Sequence, residues 1–283
     1  MAFAMKGEGN IRKLKGRMDG ESAVAYSWSQ ADILDPMPDV DMADWVGKTL
    51  RLEFANAIHC TVTGKKIKST RGDGMSWEAF QNSPLAVESI IHPELSRIHE
   101  GIALRDKEWE EKHHNQPHVV YLSYTSGIKV GVTRATNMPY RWIDQGASGA
   151  TVLANTPYRQ LAGLIEVALK DTFADKTQWR AMLTAGNPDP AAVTNALLDA
   201  KEQAYESCPS DFEDFLDDGE EVTLLQYPSE AFPDKVTSRK LDSENLIVEG
   251  RLEAIKGQYL LFEGGQVFNV RRHSGYRVRW SLS

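Results

Sequence analysis

Apolar and polar residues alternate early in the chain, as in Val24-Tyr26-Trp28 and Leu50-Leu52-Phe54. That is the period of a strand, whose successive side chains point to opposite faces. Residues 1–58 are therefore expected to be β-rich, with a loop over 32–44, where Pro36 and Pro38 stand among aspartates. The periodicity then fails from 59 to 116. Beyond it a ββαβα order is predicted: strands over 119–124 and 128–133 around the turn Thr125-Ser126-Gly127, a short helix over 139–145, a strand over 150–154, and a long helix opened by Thr156-Pro157. Threonine caps helices well and proline suits the first helical position. Leu161, Ile165, Leu169 and Phe173 recur every fourth residue, so one face of that helix is core.

Further helices are predicted over 176–183 and 190–206. Residues 207–221 carry Asp211, Glu213, Asp214, Asp217, Asp218, Glu220 and Glu221 with no basic residue, which predicts an exposed acidic linker. From 247 to 280, four strand candidates separated by Lys256-Gly257, Gly264-Gly265 and Ser274-Gly275 read as a meander. The fold class is α+β: a module over 117–206, preceded by an insertion over 59–116 and flanked by β-rich segments 1–58 and 222–283. Each flank has too few strands to cover its own edges, so the two are expected to pack together.

The net charge of −8 and a pI near 5.5 argue against a protein that coats nucleic acid through a wide basic field. A small basic cleft remains open. From Gly264 onward there is no acid, while Arg271, Arg272, Arg277 and Arg279 are present, which predicts a local positive patch. Cys60 and Cys208 are the two cysteines, too distant in sequence to suggest a disulfide framework. The N-terminus lacks the apolar stretch of a secretory signal, and the most apolar window, 161–169, is interrupted by Glu166 and too short to cross a bilayer. A cytoplasmic protein without membrane contact is expected.

Chemistry concentrates on the predicted hairpin. With Tyr124 opposite Ile128, Tyr121 faces Gly131 and Ser123 faces Lys129, so Tyr121, Ser123, Lys129, Gly131 and Thr133 share one face and Val120, Leu122, Val130 and Val132 the other. Gly131 opposite Tyr121 lets the ring or a substrate approach the backbone closely. Arg134, Arg141 and Glu166 follow, and Arg141 and Glu166 are expected to point into the cleft on the Tyr121 face. A plainer account of the same residues makes Tyr121 and Trp142 core aromatics and Arg141 with Glu166 an ordinary ion pair.

Val120-Tyr121, Lys129-Val130-Gly131, an arginine on the first helix and a glutamate on the next long helix resemble the GIY-YIG nuclease pattern, with lysine in place of its second tyrosine. The whole chain is similar to a bacterial family known as domain of unknown function 2797, through the strings IKVGVTRATNMPYRWIDQGA, GLIEVALK, DKTQWRAML and IKGQYLLFEGGQVFNVRRHSGYRV. The first resemblance implies that Glu166 holds Mg2+ or Mn2+, a hard cation that prefers carboxylate oxygen. It implies that Tyr121 or Lys129 deprotonates the attacking water and that Arg141, with Arg134, clamps phosphate oxygens. DNA or RNA is then the expected partner, with Lys176, Arg180, Arg271 and Arg272 as further contacts. A non-catalytic binder using the same cleft, with Lys65, Lys66, Lys68 and Arg71, is the alternative.

Six of the seven histidines lie between His59 and His118. Members of the resembling family look zinc-binding in this region, but here Cys60 stands without a second thiol at Thr63 or over 75–80, and its spacing to His92, His99 and His113 fits no ligand pattern. Zinc is not expected, and apolar packing through Trp77, Phe80, Leu85, Ile90, Ile91 and Ile98 is expected in its place.

Overall fold

Strand alternation is realised in the first and last quarters of the chain, and the strands it builds pair with one another across the length of the sequence. The structure, a computed structural model, describes residues 5–173 and 178–283. Its principal elements in chain order are β1 (Met5–Ile11), β2 (Thr49–His59), α1 (Lys107–His114), β3 (His118–Tyr124), β4 (Ile128–Arg134), α2 (Tyr140–Asp144), β5 (Gly149–Thr156), α3 (Arg159–Ala168), α4 (Pro190–Ser207), β6 (Ile247–Lys256), β7 (Tyr259–Phe262), β8 (Gln266–Asn269) and β9 (Tyr276–Leu282). They belong to two units: Met1–Ser83 with Leu183–Gly186 and Tyr227–Ser283, and Pro84–Met182 with Asn187–Gln226. The architecture is mixed α+β.

In the first unit β1 pairs with β9, β9 with β2, and β2 with β6, all antiparallel, and β6, β7 and β8 continue as the expected meander. The two ends of the chain thus share one ten-stranded sheet. Trp45 links Trp28 to Trp280, with ring centroids 5.9 and 5.2 Å apart, contacts worth ~1 kcal/mol each beyond their buried area. Gly7 makes room for this core, because a Cβ there would lie 2.8 Å from the Trp280 ring. The expected positive patch at the C-terminus is largely neutralised. Arg279 pairs with Glu53 at 2.5 Å, Arg277 with Glu8 at 2.7 Å and Asp32 at 2.8 Å, and Arg271 with Asp73 at 2.6 Å, acids brought by pairing from far in the sequence.

The second unit holds a four-stranded sheet in the order β4, β3, β5 and Thr223–Leu224, so β4 is an edge strand. Ala162, Ile165 and Leu169 of the α3 region and Val193, Leu197, Ala200 and Ala204 of α4 pack on the face made by Val120, Leu122, Val130 and Leu153. The Asp189 carboxylate accepts the Ala192 N–H at 2.9 Å and caps α4, with Pro190 next, a favourable start for a helix. The turn Pro93–Leu95 lies directly on α3 because residue 163 is glycine; a Cβ there would come within 2.2 Å of the Glu94 amide nitrogen.

Two expectations are corrected and one is qualified. Thr156 belongs to β5, where it pairs with His118, and its hydroxyl donates to the His118 carbonyl at 3.1 Å; α3 starts later, at Arg159, with no side-chain cap from Tyr158. Residues 207–221 are largely exposed, as expected of an acidic connection, but they are not free of the core. Phe212, Phe215 and Leu216 pack against the core of the second unit, while Asp217 accepts from Lys201 at 3.3 Å and Asn155 at 3.0 Å; two aromatics outweigh the acids around them.

The second correction concerns 59–116, which divides between the units at Ser83. Of the residues expected to pack it, Trp77 is 59% and Ile91 76% exposed, Leu85 and Ile90 are also exposed, and Ile98 is buried. Polar groups hold the segment instead. The buried Cys60 thiol accepts the N–H groups of Ser76 at 3.2 Å and Thr63 at 3.4 Å. Burial pushes this thiol up, but the Thr63 hydroxyl and the backbone donors bring it down to about 7. The buried Glu110 carboxylate likewise accepts the N–H groups of Leu104, Arg105 and Asp106 at 3.1, 2.7 and 3.0 Å, satisfying a loop that no ladder serves.

Candidate functional site

Hairpin register follows from its turn as expected: Ile128 is opposite Tyr124, Lys129 opposite Ser123 and Gly131 opposite Tyr121. Tyr121 is fully buried. Its ring meets Trp142 edge-on at 6.0 Å and runs across β4, where a Gly131 Cβ would lie 2.7 Å from the phenol oxygen. That oxygen accepts Gln145 Nε2 at 2.6 Å. A fully packed ring whose hydroxyl stands over the edge strand is the result.

The expected single-faced cleft does not form. The α3 region packs on the Val120 face, opposite Tyr121, because the apolar face of the hairpin is the one that an apolar helix stripe must cover. Glu166 therefore belongs to the helix on the Val120 face, and the charge of Lys129 on β4 acts on its carboxyl only weakly. Burial pushes the Glu166 carboxyl up and Glu94 adds to this, against Lys170, Arg159 and Lys129. Its carboxylate makes no hydrogen bond or ion pair among the described residues, and neither does the Arg141 guanidinium. The ordinary Arg141–Glu166 ion pair is therefore absent there.

Arg159, not anticipated from sequence, lies at the centre of this cluster. It is 9% exposed and donates from Nε to the Ser89 carbonyl at 2.7 Å and from Nη2 to the Ile90 carbonyl at 3.0 Å. Burial, with the fields of Arg141 and Arg134 against those of Glu166 and Glu94, brings it down to about 10. Arg134 donates to His113 Nδ1 at 2.8 Å. His118 and His114 are buried, and burial first, then the fields of Arg159 and Arg134, hold them down to about 4 and about 3. One sequence signal for Arg159 existed: an arginine opening a helix opposes the helix dipole, so it needs another reason to be there.

A family described as protein of unknown function (DUF2797) matches this chain over residues 47–278. The chain belongs to that family. No curated protein and no solved structure matches it. In this DUF2797 member the matched span takes in the whole cluster around Arg159. The remaining candidate residues are Lys176, Arg180, Arg271 and Arg272. Lys176 falls outside the described residues. Arg180 stacks over the neighbouring Trp179 ring at 4.4 Å, and Arg271 and Arg272 belong to the first unit. Cys60 belongs to the first unit and His92, His99 and His113 to the second. Among the described residues no group of three or more His, Cys, Asp and Glu side chains could hold a metal ion. No helix of the described residues is long and apolar enough to cross a membrane.

Proposed function

We propose that the second unit acts on nucleic acid, by metal-assisted phosphodiester hydrolysis at a GIY-YIG-like site around the β4 edge. The observation that carries this reading is Glu166, a partly buried carboxylate with no bonded partner among the described residues, although Lys129, Lys170 and Arg159 all lie within reach of its charge. A partly buried acid that pairs with none of its neighbouring cations is poorly compensated unless it serves something else. Its oxygen donors, with Glu94 nearby, suit Mg2+ or Mn2+, which takes one or two carboxylates and completes its shell with water and substrate phosphate. When bound, such an ion polarises the scissile phosphate. Lys129, with the Tyr121 hydroxyl over the same edge, orients and deprotonates the attacking water, and Arg141 with Arg134 stabilises charge on the phosphate oxygens.

The second reading is a non-catalytic binder, favoured by the burial of Tyr121 and the engagement of its hydroxyl by Gln145. A cleavage panel over single- and double-stranded DNA and RNA, with wild type and Glu166→Gln side by side in magnesium or manganese, separates the two. Hydrolysis predicts cleavage by wild type and none by the variant, with binding retained. Salt-dependent binding without cleavage by wild type under any condition leaves the binder.

A further inference from the structure

We infer that Arg134 and Arg159, with Arg141 beside them, form a receptor for a phosphoryl group, in which neutral acceptors orient the guanidiniums without cancelling their charge. Arg159 is fixed by two backbone carbonyls, those of Ser89 and Ile90. Arg134 is fixed by an imidazole nitrogen, His113 Nδ1, which accepts that bond in the neutral ring. Neither arginine forms an ion pair with a carboxylate among the described residues. The strands bring them to one end of the sheet: Arg134 is paired with His118, His118 with Thr156, and α3 opens at Arg159 just beyond.

A third polar atom is buried at this place. His118 Nδ1 donates to the Gln116 carbonyl at 2.7 Å, which leaves its buried, unpartnered Nε2 as an acceptor: it takes a hydrogen bond from the hydroxyl of a monoanionic phosphoryl group and gives none to its other oxygens. Arg159 also adds positive charge to a helix end that is already positive, an arrangement that favours an anion. Glu94 and Glu166 act on Arg159 from a distance and oppose binding of an anion, but neither is bonded to it. Guanidiniums match phosphoryl oxygens in paired, parallel hydrogen bonds.

The phosphoryl group could be free, at the end of a nucleic-acid chain, or within it; the last two sources rest on the proposed action on nucleic acid. Calorimetry on the full chain tests the receptor with inorganic phosphate and with short single-stranded DNA carrying a 5′-phosphate or a 5′-hydroxyl. Wild type is expected to bind at least one of them, and Arg134→Gln and Arg159→Lys to weaken that binding about tenfold or more, as expected for loss of a charged hydrogen bond. Preference for the 5′-phosphate assigns a chain end, equal affinity for the two strands an internal phosphate, and binding of inorganic phosphate alone a small ligand. Arg134→Gln keeps the test valid if Arg159→Lys fails to fold. No binding by wild type, or unchanged affinity in a folded variant of either arginine, overturns the receptor. Phosphate binding with no cleavage by any protein removes the hydrolytic reading alone, whereas cleavage with phosphate affinity and KM unchanged in Arg134→Gln removes the receptor alone.

Discussion

Arginines are handled differently in the two units. In the first, Arg51 pairs with Glu249, Arg251 with Glu230, Arg271 with Asp73, Arg277 with Glu8 and Asp32, and Arg279 with Glu53. In the second, Arg97 pairs with Glu100, but Arg134 rests on an imidazole, Arg159 on carbonyls, and Arg141 on no side chain among the described residues. Scarcity of acid does not explain this, because the chain has 40 acidic against 32 basic residues. The first unit pairs these arginines with acids, although its Arg12 rests on the Ile11 and Ile33 carbonyls and its buried Lys256 on the Gly186 carbonyl. Around α3 charges of both signs are left unmatched, which is what a site for a charged ligand requires.

The widest gap between the units is expected in acid. Burial holds His118 down to about 4 and His114 to about 3 in the second unit, and His273 down to about 4 in the first. The unfolded chain takes up these protons near pH 6.5 while the folded chain resists, so stability is full above that value and falls as pH falls towards 4. Each histidine contributes a loss on the order of 3 kcal/mol over that range, so the second unit should lose roughly twice as much as the first. Calorimetric melts at pH 7, 5.5 and 4 should show its transition moving further; equal shifts would break the comparison.

Next in size is the contact that carries Glu94 to α3. Gly163→Ala places a Cβ against the Glu94 backbone at 2.2 Å, and neither element can yield without losing its packing. A loss of about 3 kcal/mol is expected, at the upper end for an overpacked site. Urea melts of variant and wild type would measure it, and a loss below about 0.5 kcal/mol would show that the turn does not bear on the helix.

Hairpin register was legible because a three-residue turn and strict alternation leave one pairing, and the shared sheet because neither chain end has enough strands. The cluster was less legible. Lys129, Arg134, Arg141 and Glu166 were recognisable as chemistry, but which side of the sheet each approaches depends on where α3 packs, and that follows from the whole core. Arg159 was hidden by its position next to an apparent helix start at Thr156-Pro157, and Glu94 by a segment without periodicity. The acidic stretch was legible as an exposed segment, while the partial packing of Phe212 and Phe215 against the core was not.

A smaller effect, opposite in sign, is expected from Glu166→Gln. Burial raises the carboxyl, so ionisation at neutral pH opposes folding, and this cost grows as pH rises through the raised value. The amide carries no such charge. A gain in stability at pH 7 is expected, narrowing towards pH 4. Urea titrations at both pH values would show it, and a destabilised variant at pH 7 would mean that Glu166 has a structural partner.

The smallest difference tests the comparison most directly, by removing one arginine from each unit. Arg277 touches Glu8 at 2.7 Å and Asp32 at 2.8 Å, but both acids are well exposed to water, so Arg277→Gln should cost only about 0.5–1 kcal/mol and less in high salt. Arg141 bonds no acid among the described residues and lies in the field of Arg159. Arg141→Gln should therefore leave stability within about 0.5 kcal/mol of wild type, with any change towards gain, while weakening nucleic-acid affinity. Paired melts in low and high salt, with binding measured on the same samples, would read both effects. If Arg141→Gln cost as much as Arg277→Gln and left binding intact, the two units would treat their arginines alike, and the unmatched charges around α3 would be structural.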